Sequence, residues 1–286
     1  MLKIAIIYPH KRNATTYFRL QLPTKFFMKY DFVDYNIPKS LAIDDEKALK
    51  LFLSQIKEDI VIIHRTSAYT AFFAYYLKEI LNKKVIFDTD DLEYKLPRNH
   101  HLTGILDNNR TRAQFILISK YCDEIWVTTN SLRKELSKLT TSKIIVIPNA
   151  IDYITNPSWE INKSENNIPV IGWVGGVSHL HDLKEVIPGI KKLFDEGVKF
   201  HLKLCGMPHE QLIYRRIGGK LIASKLNKAD RFEVKLRKLF DFLPNDFITL
   251  HKSLPIEEYP KFYNDVDIAI APLEQTPFND SKSELK

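Results

Sequence analysis

Two cysteines are all that the 286 residues contain, and Cys122 and Cys205 lie far apart with no C-x-x-C spacing. They read as buried thiols in a reducing compartment, which places the chain in the cytoplasm. No apolar run approaches the roughly 20 residues needed to span a bilayer. The opening stretch, MLKIAIIYPHKR, is too short in its apolar part for a secretory signal, and no small-residue cleavage site follows it. No G-x-G-x-x-G is present, so the nicotinamide-binding fingerprint is missing. Helix-turn-helix, zinc and RNP-type signatures are missing too, so nucleic acid is not an expected partner. No His or Cys cluster supports a bound metal, and no cofactor is expected.

What remains is an ordinary globular composition, with 44% apolar and 27% charged residues, at a length that suits about two domains. The net charge of +7 favours anionic partners. The excess is concentrated in 211–240, where nine Lys or Arg face two acids. That stretch reads either as a solvated helix face or as a peripheral contact with an anionic membrane surface.

Short Ile- and Val-rich runs recur along the first half: LKIAIIY (2–8), FVDYNI (32–37), DIVIIH (59–64), KVIFD (84–88), DEIWV (123–127) and KIIVI (143–147). Nearly continuous apolarity is what a strand buried on both faces requires. The segments between them are long enough for crossover helices, so the pattern predicts a parallel, doubly wound α/β sheet over 1–147. Asn, Pro and Ser then dominate, periodicity is lost, and 148–168 reads as a linker. The alternation restarts over 169–286 with PVIGWVG (169–175), KFHLKLCG (199–206), FITLH (247–251) and DIAIAP (267–272). The long segment 207–245 reads as two helices, the first broken at Gly218-Gly219.

Polar residues gather at the carboxyl ends of these runs, where open α/β sheets bind ligands. GWVGGVSHLHDL (172–183) runs from a strand into two glycines and a serine. The glycines let a ligand approach the backbone, and Ser178 can cap the following helix. His179 and Asp182, three apart, share its first turn. DTDD (88–91) ends a buried strand; Asp90 and Asp91 suit hydrogen bonds to a sugar or proton abstraction, with Asp91 as a helix cap the alternative. His64 and Arg65 end the third run, and Tyr17 and Arg19 follow the first. Arg suits bidentate contact with phosphate or carboxylate. Thr128, Thr129 and Asn130 follow the fifth run, where capping is the favoured role.

Four stretches, in order, resemble a subgroup of the GT-B glycosyltransferases within glycosyltransferase family 4. GWVGGVSHLHDL is similar to its G-[YFW]-x-G-S-x-[ST]-H-x-x-D-L segment, and VIFDTDDLEYKLP (85–97) to its DxDDL…P loop. VIPNAID (146–152) is similar to its linker start, with Ala150 where Gly is usual. PLEQTPFNDSKSELK (272–286) is similar to PLxxxxFNxxKSxxKxxEY, and Arg19 with Pro23 to a YRxxxP element.

The resemblance implies two doubly wound Rossmann-like domains facing a cleft, the second incomplete, with the nucleotide sugar on the 169–286 side. It implies donor contacts at Gly175, Gly176, His179, Asp182, Gly206, Phe278, Asn279 and Ser283. Backbone N–H groups of Gly175 and Gly176 would meet the diphosphate. Catalytic roles fall to Asp90, Asp91, Arg19 and Lys282, and Tyr17, His64 and Arg65 lie on the acceptor side. It implies transfer with retention to a glycan, lipid-linked or protein acceptor, without a metal. Where many members carry Arg and Lys after the glycine turn, this chain has Gly176 and His181, so cationic stabilisation falls to Lys282 or Arg19. A Glu that binds the ribose in the family is expected about three residues past Lys286, by analogy alone. On that expectation the chain is cut inside its donor site. A nucleotide-sugar epimerase and a non-catalytic remnant are the rival readings.

Overall fold

The computed structural model describes residues 2–8, 14–38, 41, 45–67, 69–98, 100, 108–152, 160–208, 212–217, 220–225 and 231–283. The chain forms two compact units. The first comprises Met1–Pro97, Leu106–Ile151 and Thr276–Leu285; the second comprises Arg98–Ile105, Asp152–Gln275 and Lys286. The sequence boundaries give 276–285 to the second domain. In the structure the described part of this segment packs with the first unit: Phe278 is buried, and Thr129 Oγ1 donates to the Ser281 carbonyl at 2.9 Å.

The first unit is a six-stranded parallel sheet. Its strands are β1 (Leu2–Tyr8), β2 (Tyr30–Asn36), β3 (Ile60–His64), β4 (Lys84–Thr89), β5 (Glu124–Val127) and β6 (Ile144–Val146), in the order β2-β1-β3-β4-β5-β6. Each lies within two residues of the run expected from sequence. From β1 the chain moves outward to β2 and then crosses back to β3. The winding direction therefore reverses between β1 and β3, and ligands collect at the carboxyl ends beside such a switch point. Ile6, Tyr8, Ile62 and Ile86 share one face, on which Leu20 packs. Leu20 belongs to a helical stretch, Ala14–Thr16, Tyr17–Gln21 and Leu22–Thr24, whose middle segment is a π-turn. The helix Glu46–Ser54 starts at Asp45, whose carboxylate accepts from Ala48 N at 2.9 Å. The helix Asn130–Leu136 starts at Thr129, which accepts from Leu132 N, so capping is a role of that residue.

The second unit has a four-stranded parallel sheet of β7 (Val170–Val174), β8 (His201–Met207), β11 (Ile248–Lys252) and β12 (Ile268–Ile270), in the order β11-β8-β7-β12. Ile171, Trp173, Leu202 and Leu204 point to one face, under Leu183, Ile190, Phe232, Leu236 and Phe240. Val170 and Cys205 point to the other, under Phe262 and Val266. Between β8 and β11 the structure departs from expectation. The first predicted helix is an antiparallel hairpin, β9 (Leu212–Ile217) with β10 (Lys220–Lys225). Two six-residue runs with β-branched residues around Gly-Gly form a hairpin pattern, and the register pairs Ile217 with Lys220. Gly218 and Gly219 themselves lie outside the described residues. The second predicted helix is present as Phe232–Leu239.

Glycine is obligatory where β7 and β8 end. Gly206 has φ +127, and a Cβ there would sit 1.9 Å from the Gly175 carbonyl oxygen. Gly175 N donates to the Cys205 carbonyl at 3.0 Å, which pins the two strand ends together. Around Gly176 a Cβ would meet nothing within 4 Å, and the same holds for Gly189 in the helix Ile187–Asp195. Gly206→Ala is therefore expected to cost more than about 3 kcal/mol, because clash and left-handed strain add. Gly176→Ala should stay within about 0.5 kcal/mol. Gly189→Ala should stabilise by roughly 0.5–1 kcal/mol, since the helix gains and nothing is displaced. Denaturant unfolding of the three variants checks the order; an unperturbed Gly206→Ala would contradict the packing.

Candidate active site

In the first unit the polar residues converge on Asp88, near the end of β4. β3 and β4 pair His64 with Asp88 in register, so both side chains share a face at the carboxyl edge. His64 Nδ1 lies 2.8 Å from Asp88 Oδ2. Arg19 reaches the same carboxylate from the π-turn, donating through Nη2 to Oδ1 and through Nε to Oδ2. Its Nη1 also donates to the Ile147 carbonyl and to Asn149 Oδ1. Asn149 Nδ2 then donates to Ser283 Oγ at 2.8 Å. Asp88 is 0% exposed, His64 2% and Arg19 6%. Burial alone would raise the Asp88 pKa; the Arg19 charge and the His64 contact outweigh it and hold the carboxyl below its ordinary value.

Arg19, suited by type to bidentate contact with phosphate or carboxylate, is bonded to a carboxylate, Asp88, and to a backbone carbonyl. Asp88, which pattern reasoning passed over in favour of its neighbours, is the residue that gathers the others. A signal was available: it continues the inward phase of Ile86, and an inward-facing charge on a buried strand demands a partner.

A second cluster lies beside the first. Arg65 donates from Nε to Asp90 Oδ1 at 2.8 Å and from Nη2 to Asp91 Oδ2 at 2.5 Å. Arg65 has φ +62, unusual for a non-glycine residue, and its N–H donates to the Asp88 carbonyl at 2.8 Å. Burial by itself would lower the Arg65 pKa, but Asp90 and Asp91 reverse that and raise it. For Asp90, burial raises and Arg65 lowers; the Arg65 charge prevails and the pKa falls. Both carboxylates are thus held by a guanidinium, and Asp91 does not cap the short turn Glu93–Lys95, which has no side-chain cap. Glu93, also passed over in the sequence, behaves differently. Burial pushes its carboxyl up, Asp91 and Asp90 push the same way, and Arg65 and Thr66 offset only part of it.

Elsewhere in this unit Tyr17 packs edge-on against Phe18 at 5.2 Å, with Lys25 Nζ 5.8 Å from its ring centre. Phe278 and Asn279 are buried on the short helix Pro277–Asp280, and Lys282 Nζ lies 4.7 Å over the Phe278 ring.

The second unit holds the glycine-turn residues. His179 Nδ1 lies 2.6 Å from Asp182 Oδ2, and Asp182 Oδ1 accepts from Glu274 N at 2.9 Å. Buried Asp182 thereby ties the turn after β7 to the segment after β12 and fixes the tilt of the imidazole. Ser178 does not cap: the turn Val177–His179 starts at Gly176 and has no side-chain cap. Gly175 is not a free donor either, since its N–H serves Cys205. Gly176 remains the open backbone position. Among the described residues no group of three or more His, Cys, Asp or Glu is arranged to hold a metal ion.

Neither a protein-family profile nor a curated protein sequence matches the chain. Solved structures do. The catalytic domain of starch synthase IV from Arabidopsis thaliana, bound to ADP and acarbose, is similar with a TM-score of 0.57 at 13% identity, covering 96% of this chain and 79% of that one. A glycosyltransferase from Rickettsia africae gives 0.54 at 14%, over 94% and 72%. A putative UDP-N-acetylglucosamine 2-epimerase from Listeria monocytogenes gives 0.54 at 11%, over 94% and 73%. The fold is GT-B. At these identities the likeness is one of architecture, and the reaction has to be argued from the residues.

The Asp88 ion pair generates a pH prediction. A carboxylate whose native pKa is depressed contributes stability fully above the unfolded value, about 4, and loses it as pH falls through the native one. Asp88→Asn should lose about 3–5 kcal/mol at neutral pH, because it strands a buried guanidinium. Its unfolding free energy should also fall less steeply than the wild type's below about pH 4. Chemical unfolding across pH 2–7 measures both; parallel acid limbs would show that Asp88 does not carry the effect.

Proposed function

We propose that the chain is a glycosyltransferase that moves a sugar from a nucleoside-diphosphate donor to an acceptor hydroxyl. One observation carries this reading. On a GT-B architecture, the glycine turn after β7 presents an imidazole, His179, fixed by buried Asp182, beside the open backbone of Gly176. That is the combination the motif resemblance assigns to a nucleotide-sugar site.

Transfer has two requirements: charge on the departing diphosphate must be stabilised, and the acceptor oxygen must be placed against the anomeric carbon. In this reading the second unit holds the donor at Gly176, His179 and the turn they shape. The motif resemblance gives Lys282 the cationic role toward the diphosphate. His64, Arg65, Asp90 and Asp91 serve the acceptor side. The resemblance favours retention, with departure and attack on one face and no metal. It also favours a glycan, lipid-linked or protein acceptor and a cytoplasmic setting. The basic 211–240 segment supports peripheral contact with an anionic membrane, where each Lys or Arg adds about 1 kcal/mol. Among the described residues no helix is long and apolar enough to cross a membrane.

The likeness to a putative 2-epimerase favours a second reading, in which the sugar changes while still attached to its nucleotide. One experiment separates the two. The chain is incubated with UDP-, ADP- and GDP-sugars, with and without a mixture of oligosaccharides, and products are resolved by NMR. Release of nucleoside diphosphate with a new glycosidic signal is the expected result, and its anomeric coupling reports retention or inversion. An altered sugar still bound to nucleotide would establish the epimerase reading. Unchanged donors throughout, with no heat of binding by calorimetry, would overturn both.

A further inference from the structure

Single exposed apolar side chains are ordinary on a protein surface, but a cluster of them is not. Five large ones gather at the amino end of the first unit's sheet: Leu2, Phe26, Phe27, Met28 and Tyr30. Phe26 and Phe27 are 53% and 54% exposed, and Met28 is 84% exposed.

The backbone holds them there. After the helix Leu22–Thr24, Phe26 N donates to the Pro23 carbonyl at 3.0 Å, and Tyr30 N donates to the Phe27 carbonyl at 3.0 Å. These two turns present residues 26–29 as a tip before β2 begins. In the sheet, Leu2 is registered with Tyr30 and Ile4 with Phe32, so these four share the face that carries Ile6 and Tyr8. Leu20 packs with Ile6 and Tyr8, and Ile4 and Phe32 are partly buried beside them; at Leu2 and Tyr30 the cover has ended. The Tyr30 ring still meets Phe32 edge-on, with 6.3 Å between centres. The core face of the sheet thus runs out into water and joins the tip.

Charge surrounds the apolar side chains. Lys25 and Lys29 bracket Phe26, Phe27 and Met28, and both are exposed. Lys25 leans over the Tyr17 ring at 5.8 Å, and among the described residues neither lysine forms an ion pair. Lys3 offsets Asp31 at 3.8 Å, so Lys25 and Lys29 stay uncompensated.

Whatever covers this tip must accept protruding Phe and Met side chains together with lysines. Protein interfaces are depleted in lysine, and their anchors fill enclosed pockets. A bilayer surface accepts both. Its acyl boundary takes the apolar side chains, while lysines extend their charge to the headgroups. Tyr suits the same boundary, ring inward and hydroxyl outward. Uncompensated lysines select an anionic leaflet.

We propose that the turn 26–30, with Leu2 beside it, is an insertion point for an anionic bilayer surface: Phe26, Phe27 and Met28 enter the acyl boundary, and Lys25 and Lys29 meet the headgroups. The tip lies at the far end of β1 from Tyr8 and the Asp88 cluster, six steps of about 3.3 Å along the strand, or about 20 Å. It is a different surface from the basic 211–240 segment, and it does not depend on which reaction the chain carries out. A contact through charge alone is lost in salt, whereas inserted side chains keep part of their hold.

The test is co-flotation of the full chain with two kinds of vesicle, phosphatidylcholine alone and phosphatidylcholine with about one-third phosphatidylglycerol. Binding to the anionic vesicles is expected, several-fold weaker binding to the neutral ones, and partial retention at high salt. Phe27→Ser combined with Met28→Ser should weaken anionic-vesicle binding roughly tenfold or more. Thermal unfolding of that variant should match the wild type, since both side chains are largely in solvent. Should it fail to fold, Met28→Cys carrying a polarity-sensitive fluorophore takes its place, and the label should brighten on anionic vesicles. No association with anionic vesicles overturns the proposal, and so does equal affinity for both kinds. Full binding by a folded serine variant assigns the contact to another surface and overturns it too, as does a label that does not respond. A concentration-dependent dimer that the serine variant abolishes would show that the tip meets a second copy of the chain, which also overturns the membrane assignment.

Discussion

The Arg19–Asp88 ion pair is the constraint on which the first unit's polar edge depends. A carboxylate with no solvent exposure can stay ionised only if a cation reaches it, and Arg19 does so from the helical stretch after β1. That requirement fixes how the helical stretch sits on the sheet. It determines where Ile147 and Asn149 must present their oxygens, and through Asn149 it touches Ser283. The same carboxylate sets the proton position on His64. Four segments far apart in sequence are thus registered against one buried charge. Replacing the pair by apolar residues of matched volume is expected to leave the fold about as stable, because desolvation consumes much of the attraction. What such a replacement would lose is the orientation of His64.

The sheets were legible in the sequence for a simple reason. A strand buried on both faces is apolar at nearly every position, and LKIAIIY, DIVIIH and KVIFD have no other stable placement in water. The hairpin was misread because LIYRRI and KLIASK mix cations with apolar residues and mimic an amphipathic helix. Their Gly-Gly junction was taken for a helix break, although it is also a two-residue hairpin signal. The candidate site was legible as residue types at strand ends, and illegible as pairings. Arg19 and Asp88 are 69 positions apart, and nothing in local pattern says which carboxylate an arginine will find. The result is that both arginines find carboxylates inside the fold, Arg19 on Asp88 and Arg65 on Asp90 and Asp91.

The second unit solves a different problem with less charge. Its strand ends meet backbone to backbone, with Gly206 against Gly175, and the turn that follows is tied down by a single buried carboxylate, Asp182. Both of that carboxylate's oxygens are engaged, one by the imidazole and one by the Glu274 amide. A turn so fixed can hold an imidazole at constant tilt while the next backbone position, Gly176, stays open. This division suits a site in which shape is contributed by the main chain and directionality by one ring.

The hairpin between β8 and the helix Phe232–Leu239 carries a consequence for engineering. Because Leu212 pairs with Lys225, the excursion begins and ends at neighbouring points, about 5 Å apart as paired strands are. An excursion that leaves and returns at one point is a place where a tag, a reporter or a foreign binding loop can be exchanged at little cost in loop closure.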